Sequence, residues 1–180
     1  MKTTYMIFLR GVMPTGKNKV PMAQLRDVLT QAGFGNVRTY IQSGNAFVDS
    51  ELSAPETESL IHTLIQEQIG ADLVVVARTG EEVRAILSNN PFRESIDPSR
   101  VFFALFAQRP AAEKIEALLA QNFGEERLAI VGDAAYMYIP GAYGRGKLSN
   151  NYLEKKLNIS ATMRNFNTMS KMVEIDQRDR

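Results

Sequence analysis

The stretch VRTYIQSGNAFV, residues 37–48, decides what kind of sheet this chain builds. VRTYIQ (37–42) alternates apolar and polar side chains, and AFV (46–48) resumes an apolar run. Between them Ser43-Gly44-Asn45 is turn chemistry, with Asn45 expected to hold the positive φ of the turn. Two strands joined by so short a turn run antiparallel, so the segment reads as a β-hairpin.

Working outward, each arm of this hairpin is preceded or followed by a helix and then by a strand. TYMIFLR (4–10) is an almost unbroken apolar run, the mark of a strand buried on both faces. Pro21 suits the first turn of a helix, Met22, Leu25, Leu29 and Ala32 recur at helical spacing, and Gly33 and Gly35 end it. On the other side, Ser53-Ala54-Pro55-Glu56 is a capping box. The helix it opens carries Leu60, Ile61, Leu64, Ile65 and Ile69 on one face and closes at Gly70. LVVVAR (73–78) is a second unbroken strand, and Thr79-Gly80-Glu81-Glu82 caps a short helix with Val83, Ile86 and Leu87 inward.

The second half repeats the order. VFFALFA (101–107) is a strand, and Pro110 starts a helix carrying Ile115, Leu118 and Leu119. RLAIV (127–131) and AYMYI (135–139) form a hairpin about Gly132-Asp133. Ser149 caps a helix over 149–157, SATMR (160–164) is a strand, and Asn165 or Asn167 caps a last helix. Strand–helix–strand–strand–helix–strand is the split βαβ arrangement. The expected fold is therefore α+β: two tandem ferredoxin-like halves, 1–90 and 100–180, each with an extra helix (79–89 and 166–176). Residues 91–99, where every periodicity breaks, are the expected linker.

Composition narrows the chemistry. At 180 residues, 44% apolar and 23% charged, the chain has ordinary globular composition. It is long enough to bury roughly 70% of its unfolded surface. With no cysteine and a single histidine, disulfides, thiol nucleophiles and thiolate or His-rich metal centres are excluded. No metal and no cofactor are expected. The apolar run at 4–9 stops at Arg10-Gly11, and no stretch nears the ~20 apolar residues of a membrane span, so the expected place is the cytoplasm. A net charge of +1 argues against a general polyanion binder and leaves room for a local basic site.

Such a site is expected in Gly141–Thr168, where Arg145, Lys147, Lys155, Lys156 and Arg164 stand against Glu154 alone, on a Gly-rich loop, the helix after it and the segment Thr162 to Thr168. Here Arg164 and Asn165 are expected beside a helix N-terminus, where backbone N–H groups favour negative charge. A second basic loop holds Arg10, Lys17 and Lys19. Gly11 to Lys17 matches most of a phosphate-binding P-loop, but Asn18 replaces the hydroxyl residue that reaches magnesium, and Pro21 puts the helix start too late. A Ser43–His62 nucleophilic pair needs contact that sequence does not show, and turn geometry suffices for Ser43. Tyr136 and Tyr138 share one strand face; a base-stacking platform there is weighed against the plainer outer face of a hairpin, which is preferred.

These residues resemble a family. Leu9-Arg10-Gly11 with Gly16 to Met22, Tyr40 to Asn45, Lys147 to Asn150, Leu153 to Leu157 and Thr162 to Thr168 stand in the order of the bacterial group called domain of unknown function family 1697. The chain departs at Val12 to Thr15, where the family usually reads Ile-Asn-Val-Gly, and at Phe166, usually tryptophan. The resemblance implies an α+β fold of two ferredoxin-like halves and supplies no activity, substrate or catalytic residue. The expected function is binding of an anionic ligand, either nucleic acid or a phosphorylated metabolite, with no membrane partner. The ligand-binding candidates are Arg10, Lys17, Lys19, Asn45, Arg145, Lys147, Arg164 and Asn165. The alternatives are an enzyme acting on a phosphorylated small molecule or nucleotide, and a structural adaptor in a protein complex.

Overall fold

The computed structural model describes residues 1–94 and 96–180; Ser95, within the expected 91–99 linker, lies outside the described residues. In the first half β1 (Thr3–Leu9), α1 (Met22–Gln31), β2 (Gly35–Tyr40), β3 (Asn45–Ser50), α2 (Ala54–Gln68), β4 (Val75–Thr79) and α3 (Gly80–Ser88) follow one another. The second half runs β5 (Val101–Phe106), α4 (Ala112–Leu119), β6 (Arg127–Val131), β7 (Ala134–Tyr138), α5 (Asn150–Leu157), β8 (Ala161–Asn165) and α6 (Phe166–Arg178). The fold is mixed α+β, with two four-stranded antiparallel sheets ordered β2-β3-β1-β4 and β6-β7-β5-β8. In each sheet the first and third strands of the half are central.

The deciding hairpin forms with Tyr40 opposite Asn45. The positive φ angles of its turn fall on Ile41 (50°) and Gly44 (89°), not on Asn45 as the sequence led us to expect. Packing explains the choice of glycine. A Cβ at position 44 would stand 2.8 Å from Val12 Cγ2 and 2.9 Å from Leu9 Cβ. The Leu9 N–H also donates to the Gly44 carbonyl at 2.8 Å.

Side chains alternate between the two faces along β1, and both faces are buried. Tyr5, Ile7 and Leu9 pack with Leu25 and Leu29 of α1 and Ile61 and Ile65 of α2. Met6 and Phe8 on the opposite face are equally buried, as the unbroken apolar run requires. In the second half Ala104 and Phe106 of β5 pack with Leu118 of α4 and with Leu153 and Leu157 of α5. On the other face Phe103 lies 5.7 Å from the Tyr136 ring and 6.5 Å from Phe166 at the start of α6.

Helix ends follow local chemistry. Ser53 and Glu56 complete the capping box of α2. Thr79 and Glu82 exchange the same pair of bonds at α3. Ser149 caps α5, and of the two candidate asparagines it is Asn165 that caps α6. Leu119 is 43% exposed, because α4 ends there and Leu118 alone fills the buried position.

Two compact units divide the described residues, Met1–Val83 and Arg84–Arg180. The division falls inside α3 for a physical reason. Arg84 meets the Asp176 carboxylate of α6 at 3.1 Å, and the Tyr136 hydroxyl donates to the Ile86 carbonyl at 2.7 Å, so the last turns of α3 pack with the second sheet. Among the described residues no helix is long and apolar enough to cross a membrane.

Candidate functional site

Four of the eight expected site residues lie in each unit. In the first, β1 delivers the chain into a loop that closes on itself. Met13 N–H donates to Asn18 O at 2.9 Å and Lys19 N–H to Gly16 O at 3.2 Å. Those amides are therefore engaged within the loop. The helix starts only at Met22, with Pro21 as its N-cap, so no helix N-terminus follows Gly16-Lys17 as a P-loop demands. Lys17 and Lys19 are exposed. Arg10 is half-buried, and its main-chain N–H donates to Val74 O at 3.0 Å. Gln42 Nε2 reaches Val20 O at 2.9 Å and ties the loop to the hairpin. Asn45 is fully buried, and its amide donates to Tyr40 O at 3.2 Å and to Ser43 Oγ at 2.9 Å, so it serves the turn. His62 has Nδ1 2.9 Å from Leu73 O and Nε2 3.3 Å from Asp72; both ring nitrogens are engaged away from Ser43.

In the second unit, the loop from Gly141 to Ser149 leaves the end of β7 and enters α5. Arg145 and Lys147 are exposed on it. Its centre is built around a residue the sequence did not single out. Glu126, just before β6, accepts at a single carboxylate oxygen from Lys147 N–H at 2.7 Å and from Leu148 N–H at 3.0 Å. A Cβ added at Gly146 would overlap that carboxylate, so glycine is what lets the loop close on it. The Lys147 ammonium turns aside, 3.4 Å from Asn122 O and 5.7 Å from the centre of the Phe123 ring. Tyr143 accepts from Asn150 N–H at 2.8 Å and pins the loop to the first residue of α5.

Arg164 and Asn165 are neighbours in β8 whose side chains alternate. Arg164 is buried, donating to Thr162 Oγ1 at 2.7 Å and to Met163 O at 2.8 Å. Burial pulls its guanidinium down to about 10, which leaves it charged at neutral pH. Asn165 is spent on the Thr168 N–H at 2.8 Å. The structure thus leaves Arg145 and Lys147 exposed on one loop and keeps Arg164 and Asn165 within the β8–α6 framework.

Tyr136 is not on an outer face. It is 1% exposed, its ring stands edge-on to Phe103, and burial pushes its hydroxyl up to about 12. Met137 on the other side of β7 is buried too, and only Tyr138, at the end of the strand, is partly exposed, so β7 does not present a two-tyrosine face. A cleft of ≈ 550 Å³ at the C-terminal end of α5 was also not read from the sequence; Gln108, Lys155, Asn158 and Ser160 line it.

A family model described as "Protein of unknown function (DUF1697)" matches residues 1–136. No curated protein matches the chain. Among solved structures, the conserved bacterial protein SP0830 from Streptococcus pneumoniae is similar over 97% of this chain and 98% of its own, at 25% identity and a TM-score of 0.72.

Proposed function

Because the chain belongs to the DUF1697 family, whose description assigns no activity, we propose a function from the site's own chemistry: a non-catalytic binding module for an anionic ligand, nucleic acid or a phosphorylated metabolite, in the cytoplasm. One observation carries it. Two successive main-chain N–H groups, of Lys147 and Leu148, converge on one carboxylate oxygen, with the exposed Arg145 and Lys147 side chains on the same loop. Convergent backbone donors flanked by cations are the donor set that phosphate oxygens take. Lys17 and Lys19, exposed on the first loop, add a second basic surface to the reading, with Arg10 and Asn45 beneath it.

We read each half as a ferredoxin-like unit, 1–90 and 100–180, joined by 91–99. The strand order, in which the first and third strands of each half are central, supports that reading, and so does the placing of two helices on one face of each sheet.

Isothermal titration against short RNA, short DNA and common nucleotides, repeated across a salt series, tests the function. Single-stranded nucleic acid should lose affinity with a log–log slope of about −0.7 per phosphate contact. A phosphorylated metabolite should show a shallower slope and saturate at one site per chain. Arg145→Ala should weaken either. If no probe binds, the anion reading is wrong. The adaptor reading then takes its place, on the observation that Met13 and Ile41 are large apolar residues exposed by about half, 52% and 51%.

A further inference from the structure

The 145–148 loop already holds an anion, and that anion belongs to the chain. Glu126 receives two N–H bonds, at 2.7 and 3.0 Å, and lies against the bare Cα of Gly146. Yet among the described residues no side-chain cation pairs with it, although Arg145 and Lys147 stand on the same loop. A carboxylate held by amides alone, with the Arg145 and Lys147 side chains exposed on the same loop and the Lys147 ammonium resting on the Asn122 carbonyl, is incompletely matched. A phosphate monoester brings a second negative charge and three terminal oxygens. It can take the same two amides and the Arg145 and Lys147 side chains besides.

We propose that Glu126 is a tethered competitor for this seat, and that ligand binds by exchange, the phosphate group entering as the Glu126 carboxylate swings out to solvent. This rests on the anion-binding reading above and adds its regulation. Glu126 is half-buried, so swinging out restores full hydration to its carboxylate, and the two amide bonds it gives up are remade to the incoming phosphate. Tethered within the same chain, its effective concentration at the seat is roughly millimolar. Weak or singly charged anions are thereby excluded, and a dianion that also engages both cations is admitted.

The test compares wild type, Glu126→Ala and Glu126→Gln. Inorganic phosphate and AMP are titrated at constant ionic strength, following heat and the backbone amide shifts of Lys147 and Leu148. Both variants should bind about tenfold more tightly or better, with those two amides moving, and Arg145→Ala in the Glu126→Ala background should erase the gain. Equal affinity in all three proteins, with the same amides moving, overturns the competitor and leaves the anion site standing. Binding that leaves both amides unmoved places the ligand elsewhere and also overturns it. Binding by none of the three removes the anion site itself and the inference with it. Should Glu126→Ala fail to fold, Glu126→Gln, which keeps the shape, gives the same reading.

Discussion

The Gly44 backbone and the Tyr136 hydroxyl show how single residues commit this chain to its shape. Gly44 combines a φ of +89° with a Cβ position that Val12 and Leu9 already fill, so Gly44→Ala carries both a left-handed penalty and an overlap. A loss of about 2–4 kcal/mol is expected in urea unfolding. A loss below ~0.5 kcal/mol would show that the hairpin and the β1 loop give way easily. Tyr136→Phe strips the Ile86 carbonyl of its 2.7 Å donor and should cost about 1–3 kcal/mol at neutral pH. The phenol adds a pH signature. Its folded value of about 12 lies above the usual 10.0, so the fold favours the neutral form. That stabilisation is complete below pH 10 and fades as pH rises from 10 through 12. The gap between wild type and Tyr136→Phe should therefore shrink over that window. A gap that widens instead would mean the phenol ionises readily within the fold.

At the scale of elements, the two sheets protect one edge by the same device. β4 and β8 occupy the same end of their sheets, and in each case a carboxylate from the preceding helix caps the edge strand. Glu58 of α2 accepts from Ala77 N–H at 2.8 Å, and Glu154 of α5 from Ala161 N–H at 3.0 Å. Asn150 also gives its amide to the Ala161 carbonyl at 2.9 Å, so both main-chain groups of Ala161 are occupied by side chains of α5. An edge so blocked resists pairing with another chain. Glu58 bears the cost, since desolvation raises it above the ordinary carboxylate value of 4.5, against the lowering by the Ala77 bond and Arg78. The raised value means that the fold favours the protonated acid. Its contribution is therefore fullest below about pH 4.5 and is lost as pH climbs through the raised folded value. Glu58→Gln keeps an acceptor for Ala77 and cannot ionise. Its stability relative to wild type should rise between pH 4 and pH 7, read from paired urea titrations; a fall over that interval would refute the assignment. These contacts also mark where the sequence is legible. Caps such as Ser53–Glu56 and Thr79–Glu82 are read because donor and acceptor lie three positions apart. Glu58–Ala77 and Glu126–Lys147 span 19 and 21 positions and have no spacing signature. For that reason the helix caps and the order of elements along the chain were visible in the sequence and the centre of the candidate site was not. Arg145 and Lys147 were visible as charge, while the carboxylate their loop closes on sits in GEERLA, which reads only as the lead into a hairpin.

At the scale of the whole chain, the question is how separable the two halves are. Residues 91–94, 96 and 97 lie outside any helix or strand, and Arg93 is exposed there, so brief trypsin treatment should cut after it. The cut does not fall where the contacts divide. The fragment 1–93 keeps all of α3, yet residues from Arg84 onward belong by contact to the second unit. Arg84 meets Asp176 at 3.1 Å, and that carboxylate is 2% exposed with Arg180 as its other partner at 3.2 Å. Ile86 holds the Tyr136 hydroxyl. A buried carboxylate deprived of a partner destabilises strongly, by about 3–5 kcal/mol in the fully buried case and less where a second arginine remains. The nicked protein should therefore elute from gel filtration as one species in native buffer. Arg84→Ala combined with Tyr136→Phe should release the pieces at a lower urea concentration than the nicked wild type requires. Fragments that separate without denaturant would show that the end of α3 contributes little to holding the second unit.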